Sequence, residues 1–392
     1  MKTILINIFL LLLLLLSCTE EKGPKEPVIN QDSLDRAKRI EDSLAVLQKI
    51  KDADIWPEIK YQRIVIKNKK MLDSVWREYR YTSKNQDRNR AFITINRKES
   101  NLLRVGDTII VPDSIMVDMR AYSIFPHYFP QADTLSKLIL VSNYYQCYAA
   151  YENGNLVRFA ACNTGKEKTP TYPGRYSLVW RDRIRRSSLD SNWVLPFTFN
   201  FHRFAGNAFH QFTMPGYAAS HSCVRQFMSD AEWLFNWGKQ AKYVDRQPIP
   251  HSGTPVIILG VPDYDRKRGG PWTDLKSNKD KRIKLDFEPM GVEEALIPLS
   301  QIPEVSRPAL PDYKRYKYAE DTLRARGVIR PHVKLIPSIN YNKERREKAA
   351  KAKKDSLEKL KQTEKEKTNM ELIKKNLELL EGDKQDSSSG GG

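Results

Sequence analysis

Ser220-His221-Ser222-Cys223-Val224-Arg225, with His210 a short way upstream, places a thiol, two imidazoles and a guanidinium within one short span of chain. A thiol attacks carbonyls as its thiolate, and forming that at neutral pH takes a neighbouring base or cation; imidazole is the usual one. Cys223 is therefore the candidate nucleophile, with His210 and His221 as the candidate catalytic imidazoles. A buried Cys beside a structural His is common, so the flanking sequence has to carry the argument.

Working outward, Thr164-Gly165 precedes Thr169-Pro170-Thr171-Tyr172-Pro173-Gly174-Arg175-Tyr176, Leu195-Pro196-Phe197-Thr198-Phe199 precedes His210, and Gly253-Thr254-Pro255-Val256-Ile257-Ile258 follows the Cys motif. In this order the segments resemble the L,D-transpeptidase catalytic domain (the YkuD family). That family's pattern is an upstream His, a spacer, then Ser/Thr-His-Gly-Cys, an apolar residue and Arg or Asn. The resemblance covers about residues 135–260, and several ordered motifs are far more specific than the Cys motif alone. Two departures stand out: Ser222 occupies the usual Gly position, and Gln211 follows His210 where Gly or Ser is common.

The resemblance implies a mainly β catalytic domain of mixed sheets with a helix after the Cys motif. It also implies a cysteine acyltransferase acting on peptidoglycan stem peptides. Cys223 would attack the carbonyl of the third stem residue and D-Ala would leave. The amine of a second stem would then resolve the thioester, giving a 3→3 cross-link. By the same resemblance His210 is the base and His221 shapes the oxyanion region or donor pocket. Arg225 would meet a stem carboxylate, and Ser220 would hydrogen-bond within the loop. The backbone N–H groups of Ser222 and Cys223 would stabilise the oxyanion, and Tyr172 would line the donor groove. Water as acceptor makes the enzyme an L,D-carboxypeptidase. A non-catalytic peptidoglycan-binding lipoprotein is the other alternative. Zinc on His210, His221 and Cys223 would have only three ligands and no carboxylate motif, so no metal or cofactor is expected.

Met1-Lys2, an apolar run from Ile4 to Leu16 and Ser17-Cys18 read as an export signal, residues 1–17. The run is shorter than the ~20 apolar residues of a membrane span. Leu15-Leu16-Ser17-Cys18 resembles a lipobox, which implies lipidation of Cys18 and a membrane held through that anchor. Thr19 after the Cys favours the outer membrane by the rule for lipoproteins of two-membrane bacteria, which puts the chain in the periplasm or cell envelope. Export leaves Cys147 and Cys162 as a possible disulfide. They flank Asn153-Gly154, the strongest short hairpin signal. With that turn Cys147 faces Ala160, and Cys162 is its diagonal neighbour at the edge of disulfide reach. Two core thiols are therefore expected.

The chain has 392 residues and a formal net charge of +18. Such a balance would ordinarily raise nucleic acid as a partner, but export argues against it and favours an anionic envelope surface. The sequence sets no oligomeric state. Residues 18–57 read as a tether followed by an amphipathic helix from Ser33 to Lys51. Residues 58–120 read as a small α+β unit, whose stretch from Asn96 to Pro112 resembles the closing half of a LysM module. That resemblance implies glycan binding, although the opening half departs from the family, so a packing unit that binds nothing stands beside it. Residues 261–340 read as a Pro- and charge-rich extension with helices at Gly291 to Ile297 and Tyr313 to Ala325. Residues 341–392 read as a solvated helix with a seam at Met370, Ile373, Leu377 and Leu380, then a disordered end.

Overall fold

A computed structural model of the chain describes residues 31–187, 190–266, 268–338 and 341–386. The expected signal peptide, Cys18 and the expected tether up to residue 30 lie outside the described residues, as do 387–392. The chain divides into two compact units, residues 1–52 and 53–392. The first contains helix α1 (Gln31–Ala53), in agreement with the apolar spacing read from the sequence. Among the described residues no helix is long and apolar enough to cross a membrane.

In the second unit, strands β1 (Tyr61–Val65) and β2 (Thr108–Pro112) pair antiparallel. Between them lie helices α2 (Lys69–Tyr79) and α3 (Gln86–Asn96). Asn68 caps α2 by accepting the Met71 N–H at 2.9 Å, which satisfies one of the free donors of the first turn. The unit has a small core of Ile66, Val75, Tyr79, Phe92, Leu103 and Ile109. It is not a separate module, however. Ala91 and Ile95 on α3 pack into the same cluster as Leu138, Leu140, Cys147 and Phe159 of the next sheet.

That sheet has five strands in the order β5-β4-β3-β13-β6: β3 (Leu138–Ser142), β4 (Cys147–Glu152), β5 (Asn155–Ala161), β6 (Gly174–Ser177) and β13 (Pro255–Leu259). Strand alternation sends Ile139, Val141, Tyr148, Val256 and Ile258 to one core. It sends Leu138, Leu140, Ala149 and Ile257 to the other. A sheet covered on both faces needs near-continuous apolar strands, which is how LILV and VIIL read. Asn153 and Gly154 form the β4–β5 turn with φ of 45° and 74°, as their sequence implies.

The register expected from that turn is off by one residue. A bulge between Ala150 and Tyr151 sets Cys147 opposite Ala161. The extra residue sends Cys162 to the other face: it joins the core of Ile139 and Tyr148, while Cys147 lies in that of Leu138 and Leu140. Both are free, buried thiols.

The second large sheet, order β10-β9-β8-β7, contains β7 (Arg181–Arg186), β8 (Val194–His202), β9 (Asn207–Gln211) and β10 (Val224–Gln226). The helix after the Cys motif, α4, runs Met228–Trp237, with Phe227 and not Ser229 at its N-cap. The Ser229 hydroxyl instead accepts from Arg90 of α3. Residues 261–340 are more than an extension. Ile297, Ile302, Tyr316, Leu323, Ile329, Val333 and Leu335 complete the core that holds Val141, Phe199 and Val224. Helix α5 (Tyr313–Ala325) is where the sequence put it. Gly291 to Ile297 is not helical; a 3-10 turn at Pro289–Gly291 leads into chain that pairs with Arg175 through Glu294. Helix α6 (Tyr341–Asp386) leaves Met370, Ile373 and Leu377 exposed, and the Leu380 side chain lies outside the described residues.

Candidate active site

The loop ending at Cys223 is held in a socket made by residues 164–171. The Ala219 and Ser220 N–H groups donate to the Thr164 carbonyl at 2.9 and 3.0 Å, and the Lys166 N–H donates to the Ser220 carbonyl at 3.0 Å. Thr169 Oγ1 donates to the Ser220 carbonyl, and Thr171 Oγ1 to the Ser222 carbonyl, both at 3.1 Å. The Ser220 hydroxyl donates to the Cys223 carbonyl at 2.5 Å, a bond within the loop. The Thr-Gly and Thr-Pro-Thr motifs thus supply hydroxyls and close backbone approach at the points where the Cys loop has carbonyls to satisfy.

Gly165 is tightly enclosed. A Cβ there would stand 2.3 Å from the Thr169 carbonyl oxygen and 2.5 Å from the Thr171 nitrogen. Gly165→Ala is expected to destabilise the fold by about 1–3 kcal/mol, as overpacking does. It should also slow alkylation of Cys223 by displacing the socket. Chemical denaturation and iodoacetamide labelling with mass readout check both, and a variant with unchanged midpoint and labelling rate would rule the socket out.

Ser222 has φ of 70°, so the position does require the left-handed conformation at which glycine is usual. For an L-residue that costs about 1 kcal/mol. The Ser222 hydroxyl gives some of it back through a 3.3 Å bond to the Thr169 carbonyl.

Strands β9 and β10 run parallel with Arg225 opposite His210 and Val224 opposite Phe209. Val224 and Phe209 face the core. Alternation therefore turns Cys223, Arg225 and His210 to the opposite face. There a cleft is lined by these three with Ser187, Trp193, Leu195, Phe212, Ser220 and His221.

His210 is buried, and its Nδ1 lies 2.9 Å from the Gln211 carbonyl oxygen. A carbonyl only accepts, so Nδ1 carries the proton and Nε2 keeps its lone pair. The orienting group is thus main chain, and the identity of residue 211 is no obstacle. Burial, with a smaller push from Arg225, drives the His210 pKa down to about 4 against the Gln211 carbonyl. Cys223 is partly open to the cleft. Its surroundings push the thiol above its ordinary value, opposed by the Ala208 backbone and Arg225. At neutral pH the pair is a neutral thiol and a neutral imidazole, so attack requires proton transfer and does not start from a standing ion pair.

His221 is half-buried, 5.3 Å from the Trp193 ring between centroids. Lys166 Nζ stands 3.1 Å from its Nε2. An ammonium only donates, so this His carries its proton on Nδ1. Burial, then Lys166 and Arg225, lower its pKa to about 4. Arg225 donates to the Thr213 carbonyl at 3.2 Å and lies over the Phe212 ring at 4.7 Å. Among the described residues no carboxylate pairs with it, so a structural salt bridge does not explain it.

Tyr172 is a correction. It is fully buried in the core with Ile139 and Val141. Pro173 leads straight into β6, an edge strand of the five-stranded sheet, and Tyr172 lines no part of the cleft. The wall is built instead by Trp193, Leu195 and Phe212, with Lys166 behind His221. The signal for Trp193 was a lone aromatic just after Asp190-Ser191-Asn192, a turn closed by the Trp193 N–H on the Asp190 carbonyl at 3.0 Å. Among the described residues no cluster of His, Cys, Asp and Glu could hold a metal.

Residues 136–258 match the family model of the L,D-transpeptidase catalytic domain, YkuD. Among solved structures, the chain is similar to an L,D-transpeptidase from Stackebrandtia nassauensis, at 21% identity over 33% of this chain and 58% of that one, TM-score 0.27. It is similar to an L,D-transpeptidase from Mycobacterium smegmatis at 14% identity over 32% and 59% of the two chains, TM-score 0.27. A third is the L,D-transpeptidase from Xylanimonas cellulosilytica, at 20% identity over 52% and 99%, TM-score 0.30. The chain thus spans somewhat over half the length of the first two. No curated protein matches it.

Proposed function

We propose that the chain is a peptidoglycan L,D-transpeptidase that forms 3→3 cross-links through a Cys223 thioester. The observation that carries this reading is the convergence on one wall of a cleft of Cys223, His210 and Arg225, the last with no carboxylate partner among the described residues, within the stretch that matches the family model.

His210 Nε2 takes the thiol proton as sulfur attacks the carbonyl of the third stem residue. The carbonyl oxygen becomes an oxyanion, met by the N–H groups of Ser222 and Cys223. The C–N bond breaks, the D-Ala nitrogen leaves with the proton held by His210, and a thioester remains. An amine of a second stem then attacks. It gives its proton to His210, the C–S bond breaks, and the proton returns to the thiolate. Arg225 holds a stem carboxylate as a bidentate donor, and His221, kept neutral by burial, borders the acyl pocket. Export through residues 1–17 and a lipid on Cys18 would hold the enzyme at its substrate in the cell envelope. The LysM-like residues 58–120 would stand next to the glycan.

Intact-mass analysis with a purified disaccharide-tetrapeptide tests the reading, comparing the chain with Cys223→Ala. A Cys223-dependent acyl adduct with loss of D-Ala, followed by dimer, is the expected result. Free tripeptide without dimer would make it an L,D-carboxypeptidase. No adduct from a folded protein would leave a binding lipoprotein.

A further inference from the structure

A second cavity, of about 190 Å³, opens beside the cleft between the βααβ unit and the loop that leads to the Cys motif. Lys98, Arg104 and Asp107 line it from the first side, Pro215 and Tyr217 from the second, and Arg268 closes it. Its walls are stitched together. The Glu99 N–H donates to the Met214 carbonyl at 3.0 Å. Glu99 Oε1 accepts the Met214 N–H at 3.1 Å, and Lys98 bridges to Pro215.

The charges inside are unbalanced. Lys98 and Asp107 neutralise each other at 2.5 Å. Arg268 spends one nitrogen on the Val105 carbonyl at 2.7 Å. Neither Arg268 nor Arg104 has a carboxylate partner among the described residues. Two guanidiniums around a small space beside a tyrosine ring suit a carboxylate on a residue-sized body better than a neutral sugar. The wall shared with the catalytic cleft is the short loop from Phe212 to Tyr217. Phe212 faces the cleft, and Pro215 and Tyr217 face the cavity.

We propose that this cavity binds a carboxylate of the second peptide, the one whose amine resolves the thioester. The proposal rests on the transpeptidase reading for the identity of the ligand. The donor peptide occupies the cleft at Cys223 and Arg225, so the acceptor has to come in beside it. The cavity is the neighbouring place with cations to spare. On this account the βααβ unit selects the acceptor through Arg104, in addition to anything it does with glycan.

The test is binding to the full chain carrying Cys223→Ala, which removes turnover from the measurement, and Arg225→Gln, which removes the cleft's own carboxylate-binding guanidinium. The probes are a stem-type tripeptide with free carboxylates and a lysine amine, and the same tripeptide fully amidated, followed by calorimetry or ligand-observed NMR. The free-carboxylate peptide should bind at least tenfold more tightly, and Arg104→Gln with Arg268→Gln should erase the difference. Because Arg268 also supports the Val105 carbonyl, Arg104→Gln alone, an exposed position, serves as the variant free of folding effects and should lose part of the preference. Equal binding of both probes, or a preference that survives the double substitution, overturns the proposal. Neither result depends on acyl-enzyme formation, so the cavity can fail while the transpeptidase reading stands, and the reverse.

Discussion

His210→Gln is expected to slow acylation of Cys223 by a donor peptide about a hundred- to ten-thousand-fold, the usual worth of a positioned general base. The loss should be large because the Ala208 backbone and Arg225 only partly offset the burial that disfavours the thiolate. Burial holds it above its ordinary pKa, and His221 turns its Nε2 lone pair to Lys166. The pH dependence separates this role from a structural one. Since His210 stays neutral down to about pH 4, the acid limb of kcat/KM should lie near 4 and not near 6.5. A stability effect in the same direction accompanies it. The folded-state pKa is depressed, so the unfolded chain binds the extra proton first, and stability falls as pH drops from about 6.5 towards 4. From 6.5 to about 4 that amounts to about 3 kcal/mol for this buried group. Gln does not titrate, so the variant should lose activity at pH 7 and be less sensitive to acid. Single-turnover acylation and denaturant melts across pH 4–8 measure both. Wild-type acylation rates in the variant would remove His210 from the mechanism.

Asp230→Ala is expected to cost about 3–5 kcal/mol, the toll of breaking a buried ion pair from one side. Asp230 is wholly buried on α4. Its Oδ1 receives Arg90 Nη2 at 2.6 Å and Arg158 at 2.7 and 3.1 Å. Arg90 comes from α3, Arg158 from β5, and α4 directly follows the Cys motif. One carboxylate therefore ties three parts of the fold together behind the nucleophile, and its removal leaves two guanidiniums without a counter-charge. Asp230→Asn keeps a hydrogen-bond acceptor and should cost less. A loss of stability under 1 kcal/mol in the Ala variant would show that the solvent already reaching the two half-buried arginines is enough to hold their charge.

Much of the site was legible because it is local. The thiol, both imidazoles and Arg225 lie in one loop and one strand pair, and the Thr-Gly and Thr-Pro-Thr motifs that hold the loop are continuous in sequence. The strands of the five-stranded sheet were legible from their apolar runs, and the β4–β5 turn from Asn-Gly. The bulge at Ala150/Tyr151 was not, because no residue there breaks the alternation. Helix α3 was hidden by polar side chains on its buried face. Asn89 donates to the Tyr79 carbonyl, and Asn96 bonds both the carbonyl and the N–H of Ile110. Such partners are far away in sequence, so the pattern reads as polar where the position is core. Residues 261–340 misled for a related reason. Outside helix α5, their anchors, such as Ile297, Ile302, Ile329, Val333 and Leu335, are single apolar side chains in turns and loops, with no period to reveal a buried face. Tyr172 is an aromatic beside a functional motif, and only the path of β6 shows that it points inward.

The completion of the core by Ile329, Val333 and Leu335 bears on when the molecule becomes competent. A chain leaves the ribosome from its N-terminus. The Cys motif emerges well before the residues that close the core beneath it. Until the stretch near residue 335 arrives, Val224 and Phe209, which set the register of Cys223 against His210, lack part of their support. Chain order thus delays assembly of the Cys223 site until the stretch near residue 335 has followed. A chain ending at residue 260, where the family resemblance stops, would carry Cys223, His210, His221 and Arg225 without the packing that brings them into one site.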